Sequence, residues 1–305
     1  MQTLYGMGFA EWSVKTLVDD IEKATDGRVQ IDWYSEGVLV PSEELLDALR
    51  TGTIEMACTS GTYHADVMPV GAVSYLPFSR ENRDDYEIVM ARGLRQLLTE
   101  AYAEQGAQFL GHTMNAPYEL LARSPVDNLD ALKELKIRCV GSLAPMFSAV
   151  GVSTTYIPGS ELYTSLQTGV IDGCVYGGVA DYNDLSLFEV AKHLVKPPIV
   201  NPCADEYLMA TDVWNELPED LQDIILACIW RNGEFVHNTC QEQEWTEFSE
   251  VVATLGAELH VLPQEDQTKL RQAAVASWEE IAAKGPRAAK AVELYKEWLT
   301  ITGRL

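Results

Sequence analysis

Two hydrophobic periods alternate along this chain. Val14, Leu17, Val18 and Ile21 recur at spacings of three and four, which predicts a helix stopped by Gly27. Thr3 to Met7 before it reads as a strand, and Val29, Ile31 and Trp33 alternate as another. Ser42 is placed to cap a helix carrying Leu45, Leu46 and Leu49, with Gly52 just past its end. Ile54–Thr59 reads as a strand, Asp84–Glu104 as a helix and Gln108–Gly111 as a strand. The alternation resumes after Leu132, and this is the pattern of βαβ units with largely parallel sheets. Near the C-terminal third the helical spacing runs from Leu221 through Ile225, Cys228, Ile229, Val236, Phe248 and Val251 to a stop at Gly256. Unbroken, roughly 36 residues at 1.5 Å each span about 54 Å.

One segment recurs. Glu44-Leu45-Leu46-Asp47-Ala48-Leu49-Arg50-Thr51-Gly52-Thr53-Ile54-Glu55 returns as Glu161-Leu162-Tyr163-Thr164-Ser165-Leu166-Gln167-Thr168-Gly169-Val170-Ile171-Asp172. Each copy reads as a short helix, a glycine stop and a strand. Two lobes of related topology are expected, with a cleft lined by the loops at the carboxyl ends of their strands. Those loops are Cys58–His64 and Val175–Gly178. The apolar extended segments Tyr118–Arg123 and Glu206–Thr211 are expected to serve as hinge strands, and the long helix to lie across both lobes. The expected partition is 1–117 plus 206–245 for the first lobe and 118–205 plus 246–305 for the second.

Charge narrows the partners. The chain has 305 residues, with 22 Lys+Arg against 46 Asp+Glu, a net −24. Such a surface repels nucleic acid and anionic lipid. An anionic ligand therefore needs a local cation. Arg138 is the candidate: it sits in the predicted strand Leu135–Gly141, near its end and beside a helix opening at Gly141-Ser142, where a guanidinium fork and free N–H groups suit a carboxylate. No HExxH pair, P-loop or GxSxG elbow is present, and Gly6-Met7-Gly8 has Glu11 where a dinucleotide turn needs glycine. The six cysteines are dispersed. Cys228 and Cys240 lie roughly 18 Å apart on one helix, too far to bridge. The six are read as small apolar core residues, with one disulfide among Cys58, Cys139, Cys174 and Cys203 left open. No basic n-region and apolar run marks a signal peptide at Met1, so the sequence reads as cytosolic or as a mature exported form.

Several segments resemble the solute-binding proteins of tripartite ATP-independent periplasmic (TRAP) transporters, the DctP-type family. They are the Gly-rich opening with Trp12, Glu36-Gly37-Val38-Leu39-Val40-Pro41, Leu49–Met56, Leu76-Pro77-Phe78, Leu135-Lys136-Ile137-Arg138 and Pro158–Gly173. The resemblance implies an α/β two-lobe periplasmic-binding-protein fold with hinge strands and a long spanning helix. It also implies an extracytoplasmic location without the signal peptide, delivery of a carboxylate to membrane permease subunits, and Arg138 as the carboxylate anchor. Pro158-Gly159-Ser160-Glu161 and Tyr182-Asn183-Asp184-Leu185 place it nearest the branch that binds 2-oxo acids. Where that branch carries a Glu-Trp pair for a cation and the ligand, this chain has Val175-Tyr176; where it carries a glutamine, this chain has Pro117 beside Tyr118. No metal and no cofactor are therefore expected. The pocket is expected to favour a 2-oxo or 2-hydroxy monocarboxylate with an apolar or aromatic remainder. Phe9, Trp12, Tyr63, Phe78, Tyr118 and Tyr176 are the expected walls, with His64 in a cleft loop and Glu206 available to an amine or hydroxyl. The chain is expected to be a monomer and not an enzyme. A two-lobe enzyme acting on a small carboxylate and a sensory ligand-binding module are the alternative readings.

Overall fold

The computed structural model describes residues 1–305. It contains ten strands: β1 (Gln2–Thr3), β2 (Met56–Thr59), β3 (Ala107–Met114), β4 (Tyr118–Ala122), β5 (Lys136–Arg138), β6 (Ser153–Thr155), β7 (Gly173–Val175), β8 (His193–Val200), β9 (Ala204–Ala210) and β10 (Glu258–Val261). They form two sheets, β1-β2-β9-β3 and β10-β8-β4-β7-β5-β6. Helices cover both faces of each, so the strands are apolar on both sides. In the first sheet Met56, Cys58, Tyr207 and Met209 face one core and Ala57, Leu208 and Ala210 the other. This period-two division decides the site below.

The repeat is a structural one. A 3₁₀ turn at Ser42–Glu44 leads into helix Leu45–Arg50, then Gly52 at φ +72° and β2; Gly159–Glu161 leads into helix Leu162–Thr168, then Gly169 at φ +74° and β7. Glycine is suited to the left-handed backbone at both stops. Ser42 opens the 3₁₀ turn and caps no helix.

The lobes are joined where β3 passes into β4 through Asn115-Ala116-Pro117 and where β8 passes into β9 through Asn201-Pro202-Cys203. The two crossings hold each other: Asn115 N–H donates to Cys203 O at 2.9 Å and Cys203 N–H to Ala116 O at 3.3 Å. β4 and β9 themselves lie each within one sheet, so the hinge is these two short links and not the strands expected. The long helix runs Glu219–Leu255, 37 residues, and Gly256 at φ +69° ends it. Ile225, Cys228 and Ile229 bury in the first lobe, Val236 and Cys240 at the crossings, and Val251 in the second lobe. That one apolar face fastens it along both lobes.

Four expectations change. The expected strand Val29–Trp33 is extended and alternately buried but joins no sheet, with only a Gln2–Tyr34 bridge beside it. The expected strand Thr3–Met7 is shorter, because a helix begins at Met7. The helix expected over Asp84–Glu104 is broken at Gly93, φ +137°, with a wide turn over Met90–Leu94. The tail 246–305 is divided: Val251, β10, Leu270 and Ala274 stay with the second lobe, whereas Leu294, Tyr295 and Leu299 of helix Pro286–Ile301 bury in the same core as Leu45 and Leu208. All six cysteines are buried free thiols.

Candidate functional site

A cavity of about 70 Å³ lies between the lobes. Six aromatic residues line it: Tyr5, Phe9, Tyr63, Tyr75, Tyr118 and Tyr176. Tyr5 and Phe9 come from the start of the first helix, with ring centroids 4.4 Å apart. Tyr63 comes from the turn after β2. Tyr118 opens β4, with its ring 4.8 Å from that of Tyr75. Tyr176 follows β7. Gly159 makes room for it, since a Cβ there would stand 2.7 Å from the Tyr176 hydroxyl. The polar groups are Asn115, Asp181 and Asp205.

Arg138 stands behind this wall, at the end of β5, and is 1% exposed. Its Nε donates to Ile157 O at 2.8 Å and its Nη1 to Val175 O at 3.1 Å. The guanidinium carbon lies 5.1 Å from the Tyr176 ring centroid and 5.2 Å from that of Tyr156. Nη2 has no hydrogen-bond partner in the protein, and no carboxylate lies within the 4.0 Å of an ion pair. Buried charges ordinarily have a counter-charge, because desolvating them is costly. The tyrosines soften that cost but do not remove it. Tyr156 also reaches across the cleft, its hydroxyl donating to Glu43 Oε1 at 2.9 Å.

Asp205 accepts from the hydroxyls of Tyr5, at 2.8 Å, and Tyr75, at 2.6 Å, and from the Asn115 amide. Burial raises its pKa to about 6 against those hydrogen bonds, and burial raises Asp181 to about 6 as well. The neighbouring Glu206 points the other way. Its Oε2 accepts from Gly61 N–H at 2.8 Å and its Oε1 from the Ser74 hydroxyl at 2.5 Å. Burial pushes it up to about 8. Alternation on β9 explains the split: Asp205 shares its face with Tyr207 and Met209, and Glu206 with Leu208 and Ala210.

Phe9, Tyr63, Tyr118 and Tyr176 thus come together as expected walls, with Arg138 behind them. Glu206 is a correction, replaced by Asp205. Phe78 is another: its N–H donates to Ile199 O at 2.7 Å and its ring buries in the second lobe's core under Arg271. Trp12 sits one helical turn beyond Phe9, packed between it and Phe235. His64 turns from the cavity to Thr59, Nε2 to Oγ1 2.9 Å, and burial lowers its pKa to about 4, leaving it neutral. Sequence reasoning missed Tyr5, Tyr75, Asn115, Tyr156, Asp181 and Asp205. For Asn115 the position just before a predicted hinge strand was a usable signal; for Asp205 the Asp-Glu pair was ambiguous by one residue. No group that would hold a cation beside Arg138 is offered at Val175, whose side chain is buried and apolar.

Two α/β lobes, paired crossings and a helix along both define a two-lobe solute-binding protein. Residues 11–285 match the bacterial extracellular solute-binding proteins of family 7, the DctP family, and the chain belongs to it. It is 28% identical over 213 residues to the monocarboxylate 2-oxoacid-binding periplasmic protein of Nostoc sp., covering 69% of this chain and 58% of that one. A TRAP periplasmic solute-binding protein from Chromohalobacter salexigens, crystallised with bound (S)-(+)-2-amino-1-propanol, superposes with a TM-score of 0.87 at 25% identity, covering 98% of this chain and 94% of that one. The malonate-bound protein of Rhodoferax ferrireducens has the same fold, with a TM-score of 0.88 at 19% identity and 98% of each chain covered. No helix is long and apolar enough to cross a membrane.

Proposed function

We propose that this protein is the extracytoplasmic receptor of a TRAP transporter, that it captures a small organic monocarboxylate between its lobes, and that it hands the acid to membrane permease subunits. The observation that carries this is Arg138, a buried cation with one nitrogen unspent and no carboxylate within ion-pair distance, set behind Tyr176 in a cavity wall built from both lobes. A ligand carboxylate supplies the missing counter-charge. The aromatic walls favour an apolar body, and at roughly 10–15 Å³ for each water-sized site the cavity admits about five to seven heavy atoms. The Nostoc relative is named for binding monocarboxylate 2-oxoacids, a class with members of that size. At the far end Asp205 and Asp181 favour a hydrogen-bond donor on the ligand, a hydroxyl or an amine. The amino alcohol held by the Chromohalobacter structure carries both groups.

Binding favours closure because contacts come from both lobes. The test is a thermal-shift screen of 2-oxo, 2-hydroxy and 2-amino acids, followed by calorimetry on the best hit. Arg138→Ala is expected to weaken that hit by about 2–5 kcal/mol, the cost of stripping one partner from a buried charge pair. Unchanged affinity in Arg138→Ala would defeat the reading. Turnover of the bound acid would instead favour an enzyme.

A further inference from the structure

We propose that His193, Glu258 and His260 form a site for one divalent transition-metal ion on the outer edge of the second sheet, separate from the cleft. The register builds it. β8 and β10 pair in parallel, with Glu258 directly beside His193 and His260 beside Val195. Glu258 and His260 are two residues apart on one strand, so both share the face of their neighbour His193. Three donor atoms converge there. His193 Nδ1 lies 2.9 Å from His260 Nε2, and Glu258 Oε2 lies 3.7 Å from each. Ligands held about 2.0–2.1 Å from a tetrahedral ion stand about 3.3–3.4 Å from one another. The three separations bracket that value, so small side-chain movements seat an ion with a fourth position open to water.

A second observation points to a ligand. The other ring nitrogen of His260, Nδ1, donates to Asp127 Oδ1 at 2.7 Å. That bond leaves the Nε2 lone pair aimed at the shared point, and a carboxylate behind a histidine is the usual support for a metal-binding imidazole. Two imidazoles and one carboxylate select zinc, nickel, cobalt or copper over magnesium or calcium. β10 begins three residues after the long helix ends, and β8 leads into the crossing to the first lobe. A bound ion therefore fastens the end of that helix to the strand entering the hinge. Neither strand contributes to the cavity, so the site does not depend on the identity of the cleft ligand.

The test is Zn²⁺ and Co²⁺ titration of chelator-stripped full-length protein by calorimetry. The expected result is one ion per chain and a tetrahedral Co²⁺ absorption spectrum. The six buried cysteines do not compete in the folded state. Exchange of both histidines, His193→Ala with His260→Ala, is expected to abolish the single-site isotherm. Asp127→Asn, at an exposed carboxylate, is expected to weaken it roughly 10–100-fold. Circular dichroism checks the fold of each variant, and an anomalous map of Zn²⁺-soaked wild-type crystals reads the site without any variant. No stoichiometric binding, an ion placed elsewhere in the map, or binding unaltered in the double variant would overturn the proposal, and the pair would then be a histidine–histidine hydrogen bond only.

Discussion

Arg80 and Arg138 are both buried, both stack on a tyrosine, and neither has a carboxylate within ion-pair distance. Their remaining valences differ. Arg80 spends all three nitrogens inside the protein: Nε on Pro202 O at 2.6 Å, Nη2 on Ser74 O at 2.6 Å and Nη1 on the Tyr295 hydroxyl at 3.4 Å. It thereby ties the second crossing to the first lobe and to the C-terminal helix. Arg138 spends two and leaves Nη2 without a partner in the protein, with its guanidinium against Tyr176, a wall of the cavity. Burial of a cation does not mark a binding site by itself. An unspent donor behind a wall of the cavity is what makes Arg138, and not Arg80, the proposed anchor.

This contrast is broken most severely by exchanging the two arginines for alanine in separate variants. Arg80→Ala leaves two buried carbonyls without donors, at about 1–3 kcal/mol each. It is expected to lower the melting temperature strongly while ligand affinity per folded molecule changes little. Arg138→Ala also strips Ile157 O and Val175 O of a donor and is expected to lower the melting temperature as well, but it alone is expected to lose most binding. Calorimetry on the folded fraction of both variants separates them, and equal losses of affinity would erase the distinction.

The pair on β9 gives the next largest effect. Asp205→Asn is expected to weaken hydroxy or amino acids by about 1–3 kcal/mol relative to a 2-oxo acid, as read by calorimetry at pH 7. Glu206→Gln, facing the opposite core, is expected to leave that preference unchanged. A shifted preference in Glu206→Gln would reverse the assignment of faces.

The buried acids also set the pH dependence of stability. Burial raises Glu206 and Glu244 to about 8, and Asp205 and Asp181 to about 6. The native state therefore binds more protons than the unfolded chain between about pH 4 and pH 8, and unfolding free energy falls as pH rises through that window. Melting followed from pH 8 down to pH 5 is expected to rise by several degrees, with four acids contributing below about pH 6 and only Glu206 and Glu244 above it, partly offset below about pH 6.5 by His64, which burial holds neutral. Below that range Glu87 turns the trend, since its bond to His112 holds its carboxyl below the usual range. A flat or falling melting curve from pH 8 to pH 5 contradicts this.

The smallest effect is expected at the cleft mouth. Tyr156→Phe removes the bond to Glu43 and keeps the ring over Arg138. A loss of about 0.5–1.5 kcal/mol in affinity, with a more open ligand-free form in X-ray scattering, is the expected outcome.

Much of this was legible in the chain. The long helix was readable to within a few residues because its apolar spacing and its glycine stop are local signals. The repeated helix–glycine–strand unit was readable because left-handed backbone at Gly52 and Gly169 has a residue signature. Four of the six cavity aromatics were nominated from loop position, and Arg138 from its place at a strand end. The misses share one cause. Phe78, Trp12, His64 and Glu206 all occupy the right segments, but each points to a core and away from the cavity.

The sequence alone pointed to most of the elements, their order, the two lobes and the cation proposed to hold an anion in a chain of net charge −24. These follow from spacing, turn chemistry and charge, which act over a few residues. Tertiary structure decided which side of β9 meets the cavity, that the C-terminal helix returns to the first lobe, and that His193 stands beside Glu258 and His260. Strand pairing and register bring those residues together across dozens of positions. A shift of one residue would exchange Asp205 for Glu206 at the cavity, and no local pattern reports that choice.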